Sequence, residues 1–288
     1  MRRSLTLPDG EVSQLVWDGD GRDGQRPLLH FAHANGFNAG TYRGLLAPLA
    51  ESFRVVASDA RGHGFTRLPT TPGLATGWTV FRDDLIAVLE RIAPQGAILA
   101  GHSMGATASL MTAALRPDLV HALVLVEPVF VPKHVTAGAN ELSLRAIKRR
   151  DTFASLEAAL DTYRGRGAFK TWPDETIRDY LEGGLEPFEG GVRLTCRPAW
   201  EAEDFRSAPP GKSELAAEVK CPVTLIHADD GTASAGEVAI FERLYPATRV
   251  IAKAGATHFL PMEFPQVVRD EILKSRNARP AGPGSLPA

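Results

Sequence analysis

The sequence predicts an α/β protein, a mostly parallel sheet flanked by helices and interrupted once by a helical cap. Three observations predict it. Short apolar runs alternate with helical patterns through the first half of the chain, the order that builds parallel sheets. That rhythm stops after Pro128 and resumes at Pro222. The 288 residues are 44% hydrophobic and 23% charged, which suits one large core.

The elements follow in order. Val12–Trp17 and Leu28–Ala32 read as strands, the second almost wholly apolar, as a strand buried on both faces should be. Residues 42–52 carry helical apolar spacing, 54–58 form a strand and 78–92 a helix. Residues 96–100 are a strand, 104–115 an Ala- and Leu-rich helix, and 121–126 another strand. Three amphipathic, charged segments then appear, at 141–150, 155–164 and 174–181. The sheet pattern returns with a strand at 222–227, a helix at 236–244, a strand at 249–252 and a helix at 265–275. The expected division is a core of 1–130 and 214–276, a helical cap of 131–213, and a disordered Pro- and Gly-rich tail of 277–288.

Composition excludes several classes. Thirty-two Lys and Arg against 34 Asp and Glu give a net charge of −2, without the basic excess of a nucleic-acid binder. No run approaches the roughly 18 apolar residues of a membrane span. The first residues reach Pro8 and Asp9 before any apolar stretch, so no secretory signal is expected and the default location is cytoplasmic. Cys196 and Cys221 are in no zinc spacing and are read as free thiols.

Gly101-His102-Ser103-Met104-Gly105 fits G-x-S-x-G, between an apolar run and a helix. That context defines a nucleophile elbow: the glycines permit a sharp turn that lifts the serine hydroxyl above the sheet. The Met104 amide lies at the helix N-terminus, where negative charge is favoured. A serine hydroxyl needs a base, and His258, after the last strand, is in position to serve. His30 and His121 fall within strands and read as structural. His102 adjoins the nucleophile, and His134 is in the cap.

With His33-Ala34-Asn35-Gly36-Phe37, Asp59-Ala60-Arg61-Gly62-His63-Gly64, the G-x-S-x-G segment and Gly255-Ala256-Thr257-His258 in that order, the chain resembles the α/β-hydrolase fold family from about Leu28 to Glu271. The resemblance implies an eight-stranded sheet and a Ser-His-acid triad. It also implies that the amide of Asn35 pairs with that of Met104 as an oxyanion hole, with Ala34 standing where the family usually has Gly. The segment 59–64 has a structural role in the family.

Two positions compete for the acid. The common site follows the strand at 222–227, where counting along the strand reaches Gly231 and counting back from His258 favours Asp230; Asp229 ranks third. The other is Glu127, 24 residues after Ser103 at the end of an all-apolar strand. A Glu there holds the histidine in haloalkane dehalogenases and zearalenone-type lactonases, which this arrangement resembles. A carboxylate at such a place is expensive unless paired, which favours Glu127 over Asp230.

The resemblance implies two-step acyl transfer on a small carboxylic ester or lactone, with no metal or organic cofactor and no nucleic-acid or membrane partner. Carbon–carbon hydrolysis, amide hydrolysis and perhydrolysis use the same triad, and a non-catalytic small-molecule receptor is the rival from another class. Epoxide hydrolase and dehalogenase chemistry are disfavoured because those families use Asp where this chain has Ser103. In the cap, Phe130, His134, Phe153, Tyr163, Phe169 and Trp172 are read mainly as its own core or its seam with the sheet. Lys148-Arg149-Arg150-Asp151 and Arg164-Gly165-Arg166 are read as solvated faces, with a role toward an acidic substrate the weaker reading.

Overall fold

The computed structural model of the protein describes residues 1–18, 26–71 and 73–278. Of the expected tail, 279–288 lie outside the described residues. The chain opens with β1 (Arg2–Leu7), β2 (Gly10–Trp17) and β3 (Leu28–Ala32), followed by the one-turn α1 (Arg43–Leu46) and β4 (Arg54–Ser58). Next come α2 (Thr79–Ile92), β5 (Ala97–His102), α3 (Met104–Leu115) and β6 (Val120–Val126).

An inserted stretch holds α4 (Glu141–Ala146), β7 (Thr152–Phe153), α5 (Leu156–Tyr163), α6 (Asp174–Gly184), β8 (Leu185–Phe188), β9 (Gly191–Leu194) and α7 (Pro198–Arg206). The chain returns with β10 (Val223–Asp230), α8 (Ala235–Leu244), β11 (Arg249–Thr257), α9 (Leu260–Glu263) and α10 (Pro265–Lys274).

The main sheet has eight strands in the order β1-β2-β4-β3-β5-β6-β10-β11, parallel from β4 onward. Apolar side chains fill both faces. On one, Phe31, Val55, Ile98 and Val124 pack with Tyr42 and Leu46; on the other, Leu99, Leu123 and Leu225 pack with Leu89, Leu110 and Phe241. The parallel order aligns the C-terminal ends of β3, β5, β6, β10 and β11 along one edge, the usual place for a site in an open α/β sheet.

Several elements depart from the sequence reading for local reasons. Residues 42–52 are not one helix: α1 is flanked by 3₁₀ turns at Ala39–Tyr42 and Ala47–Glu51. Pro48 lacks the N–H that a continuing α-helix needs there. β10 and β11 run three and five residues beyond their expected ends and pair across a bulge between Ala228 and Asp230. The inserted stretch is not purely helical, because β7, β9 and β8 form a small antiparallel sheet. Those strands span only two to four residues, too few to display alternation. Its apolar residues Phe153, Leu160, Tyr163, Phe169, Trp172 and Tyr180 join the core on one face of the main sheet.

Candidate active site

Ser103 sits between β5 and α3 with φ 56° and ψ −120°. A non-glycine residue in that region stores roughly 1–3 kcal/mol of strain, which the surroundings must hold in place. They do so by close approach. A Cβ on Gly105 would stand 2.2 Å from the carbonyl oxygen of Ala32, and one on Gly101 2.7 Å from the Ala106 nitrogen. The Ser103 amide donates to the Val126 carbonyl at 3.0 Å, tying the turn to the end of β6.

His258 Nε2 lies 3.1 Å from Ser103 Oγ, and its Nδ1 lies 3.1 Å from Glu127 Oε2. These three residues leave the ends of β5, β6 and β11, which the parallel order sets along one edge of the sheet. Glu127 is fully buried and has a φ of 49°, a turn that carries its carboxylate under the histidine. Its Oε1 accepts the Ala228 amide at 2.6 Å and its Oε2 the Thr232 amide at 2.7 Å. Burial pushes the Glu127 pKa up, but the hydrogen bonds from His258 and those two amides outweigh it, and the net shift is downward.

Gly231, the position reached by counting along the strand, lies against the Glu127 carboxylate. A Cβ there would fall 2.2 Å and 2.3 Å from the two carboxylate oxygens of Glu127. The two sites thus compete for one space. Asp229 is engaged elsewhere, accepting the Gly255 amide at 3.2 Å. The backbone of Asp230 pairs with Thr257 at the end of β10; its side chain lies outside what is described. Thr232, not singled out from the sequence, adds a hydroxyl 3.1 Å from His258 Nδ1.

Asn35 follows β3, and Met104 opens α3. Neither backbone amide makes a hydrogen bond among the described residues. The Ala34 amide is taken by the Tyr42 hydroxyl at 3.1 Å. That hydroxyl bonds His102 Nδ1 at 2.8 Å, and His102 Nε2–H donates to the His258 carbonyl at 2.8 Å. Buried His102 therefore links the loop after β3 to the loop carrying His258. The Gly36 amide donates to His63 Nε2 at 3.0 Å, and Asn35 Nδ2 to the Glu201 carbonyl at 3.1 Å. Asp59 is a buried structural acceptor for the amides of Ala39 and Phe65.

The remaining residues sort by packing. His30 bonds Ser58 Oγ and His121 the Gln95 carbonyl. Phe130 stacks on Phe241, on the opposite face of the sheet, and His134 is exposed. Trp172 packs edge-on against Phe37 and Phe259, the latter next to His258. Arg149 departs from the solvated face expected of its cluster and turns inward, beside Glu201 and Tyr180. Both cysteines are buried free thiols. Among the described residues no cluster of three or more His, Cys, Asp or Glu is suited to a metal, and no helix is long and apolar enough to cross a membrane.

An elbow serine, a histidine from the last strand and a buried carboxylate on this sheet define a hydrolase scaffold. A model of the alpha/beta hydrolase family matches residues 31–271, and the chain belongs to that family. It is similar to a 2-(acetamidomethylene)succinate hydrolase of Mesorhizobium japonicum, 29% identical over 250 residues, 86% of this chain and 87% of that one. The crystal structure of an E-2-(acetamidomethylene)succinate hydrolase superposes with a TM-score of 0.81 at 26% identity, covering 96% of this chain and 99% of the other. A pimeloyl-[acyl-carrier protein] methyl ester esterase of Nitrosospira multiformis is 26% identical over 228 residues, 75% of this chain and 81% of the relative.

Proposed function

We propose that the chain is a serine hydrolase acting on a small carboxylic ester or lactone through Ser103, His258 and Glu127. The observation that carries the reading is the unbroken line from Ser103 Oγ to His258 Nε2 and from His258 Nδ1 to Glu127 Oε2, each 3.1 Å. His258 takes the serine proton as Oγ bonds to the substrate carbonyl carbon, whose π pair moves onto oxygen. Ionised Glu127 holds the Nδ1–H tautomer and stabilises the imidazolium that forms. The amides of Asn35 and Met104, without a hydrogen bond among the described residues, receive the oxyanion, at about 3 kcal/mol for each well-directed donor. Collapse expels the alcohol, which leaves with the proton from His258. Water, deprotonated by the same histidine, then releases the acid and restores Ser103.

The inserted stretch, residues 131–213, acts as a cap over this edge of the sheet. Support comes from its aromatic residues, which reach the loop of His258 through Trp172 and Phe259. A second reading, cleavage of a carbon–nitrogen or carbon–carbon bond on the same triad, is favoured by the relative whose name specifies a small acetamido-substituted succinate rather than an ester. Steady-state turnover of p-nitrophenyl esters by the protein and its Ser103→Ala variant tests the proposal. Loss of at least about 10³-fold on substitution is expected, and equal rates would refute it.

A further inference from the structure

The triad leaves a second set of buried polar groups without a task, where α5, α6 and α7 meet the loop after β3. Arg149 enters this space from the turn before β7. Its Nε and Nη2 are shielded from solvent and make no hydrogen bond among the described residues. Nη1 reaches the Tyr180 hydroxyl only at 3.4 Å. Nη2 stands 2.9 Å from Glu201 Oε2, an ion pair that lacks hydrogen-bond alignment. Trp172 Nε1 and the Tyr163 hydroxyl are also buried and, among the described residues, make no aligned hydrogen bond, the hydroxyl lying beside that of Tyr180. Burial raises the pKa of Tyr163 and Tyr180 while the nearby charge of Arg149 draws it down, and both phenols remain neutral donors.

This cluster is joined to the triad by short chains of contacts. Glu201 gives its carbonyl to Asn35, and its Oε1 lies 2.4 Å from where a Cβ on Gly36 would be. The guanidinium is therefore one side chain away from the loop carrying the Asn35 amide. On the other side, the Trp172 ring is 5.7 Å from Phe259, itself 5.6 Å from His258.

A guanidinium has five donors in a planar fork, and here most of them are unmatched. A carboxylate has the two oxygens that fit this fork, and a phenolic O–H beside it adds a third donor. We infer that Arg149 and Tyr163 bind a carboxylate carried by the substrate away from the bond that is cleaved, so that the substrate is a half-ester, lactone or amide of a small dicarboxylic acid. The inference rests on the hydrolase reading for its role. Glu201 holds the guanidinium in place beforehand. Burial raises its pKa against the pull of Arg149. Burial, and after it the nearby Glu201, pushes the neighbouring Asp204 well above the usual carboxylate range.

The test is calorimetric titration of the Ser103→Ala protein with monomethyl glutarate and, as the uncharged control, dimethyl glutarate. The half-ester is expected to bind at least about tenfold more tightly, as a charge-assisted fork should give. Adding Arg149→Met should abolish that preference. Adding Tyr163→Phe, which keeps the ring and its packing, should reduce it about threefold and covers the case in which the arginine variant does not fold. Equal binding of the two esters, binding of neither, or a preference that survives both substitutions overturns the inference. Turnover of neutral p-nitrophenyl esters is measured separately. Ser103-dependent turnover without a half-ester preference removes this inference and leaves the triad standing. Tight half-ester binding by a chain that cleaves no ester overturns the role of the site as a substrate anchor.

Discussion

Gly231→Ala isolates the geometry of the acid. The new methyl would stand 2.2 Å from Glu127 Oε2 and 2.3 Å from Oε1, so the carboxylate must retreat by about 1 Å to reach ordinary contact. Oε2 is the atom that receives both His258 and the Thr232 amide, at 3.1 Å and 2.7 Å. A 1 Å misplacement of a catalytic group lowers rate by on the order of 10²-fold, about 2.7 kcal/mol in the barrier. Hydrogen bonds to a buried charge contribute about 1.5–3 kcal/mol each, so the melting temperature should fall as well. The assay is kcat on p-nitrophenyl acetate, with a thermal melt as control. Glu127→Gly/Gly231→Asp moves the carboxylate to the other side of the same space, and should recover at least about tenfold over Gly231→Asp alone. A Gly231→Ala enzyme with kcat within about threefold of wild type would refute the reasoning.

Three further outcomes are expected. Glu127→Gln should lose most of the activity while Asp230→Asn keeps most of it, in matched kinetics; the reverse ranking would move the acid to the loop after β10. Burial, with His33 adding to it, lowers the His63 pKa to about 3, leaving its Nε2 lone pair free to accept the Gly36 amide. His63→Leu should therefore reduce kcat about tenfold at little change in KM, and His63→Gln, which retains an acceptor, should restore part of it. Equal loss in both variants would mean that His63 only fills space. Burial raises Asp179 to about 6, aided by Glu182 and Glu175 and opposed by Arg43. Between its ordinary value of 3.8 and about 6 the folded chain holds a proton that the unfolded chain has released, so this group makes stability fall as pH rises through that window. Asp179→Asn should flatten that dependence in denaturant titrations from pH 4 to 6.5, and an unchanged slope would contradict the assignment.

What the sequence made legible was mostly local. The elbow could be read because strand, Gly-x-Ser-x-Gly and helix are contiguous, and His258 because it follows the last strand. Glu127 stood out as a carboxylate ending an apolar strand, and the structure sets it 3.1 Å from His258. The misses depend on tertiary neighbours. Nothing in 228–232 announces that Gly231 leaves room for a side chain 104 positions earlier, or that Thr232 completes the cradle. Lys148, Arg149 and Arg150 look alike in sequence, and only the packing of α6 and α7 draws the middle one inward. β1 carries no alternation to read because, as an edge strand, it buries only Leu7. The His102 link between Tyr42 and His258 spans residues 60 and 156 positions apart and has no pattern to read.

The most direct test of the central claim is the turnover of p-nitrophenyl esters of increasing chain length, and of several lactones, by the purified protein beside its Ser103→Ala variant. Saturable hydrolysis of short acyl esters or lactones that disappears with the Ser103 hydroxyl is the predicted result. Hydrolysis that persists in Ser103→Ala, or none on any of these substrates, would contradict the account.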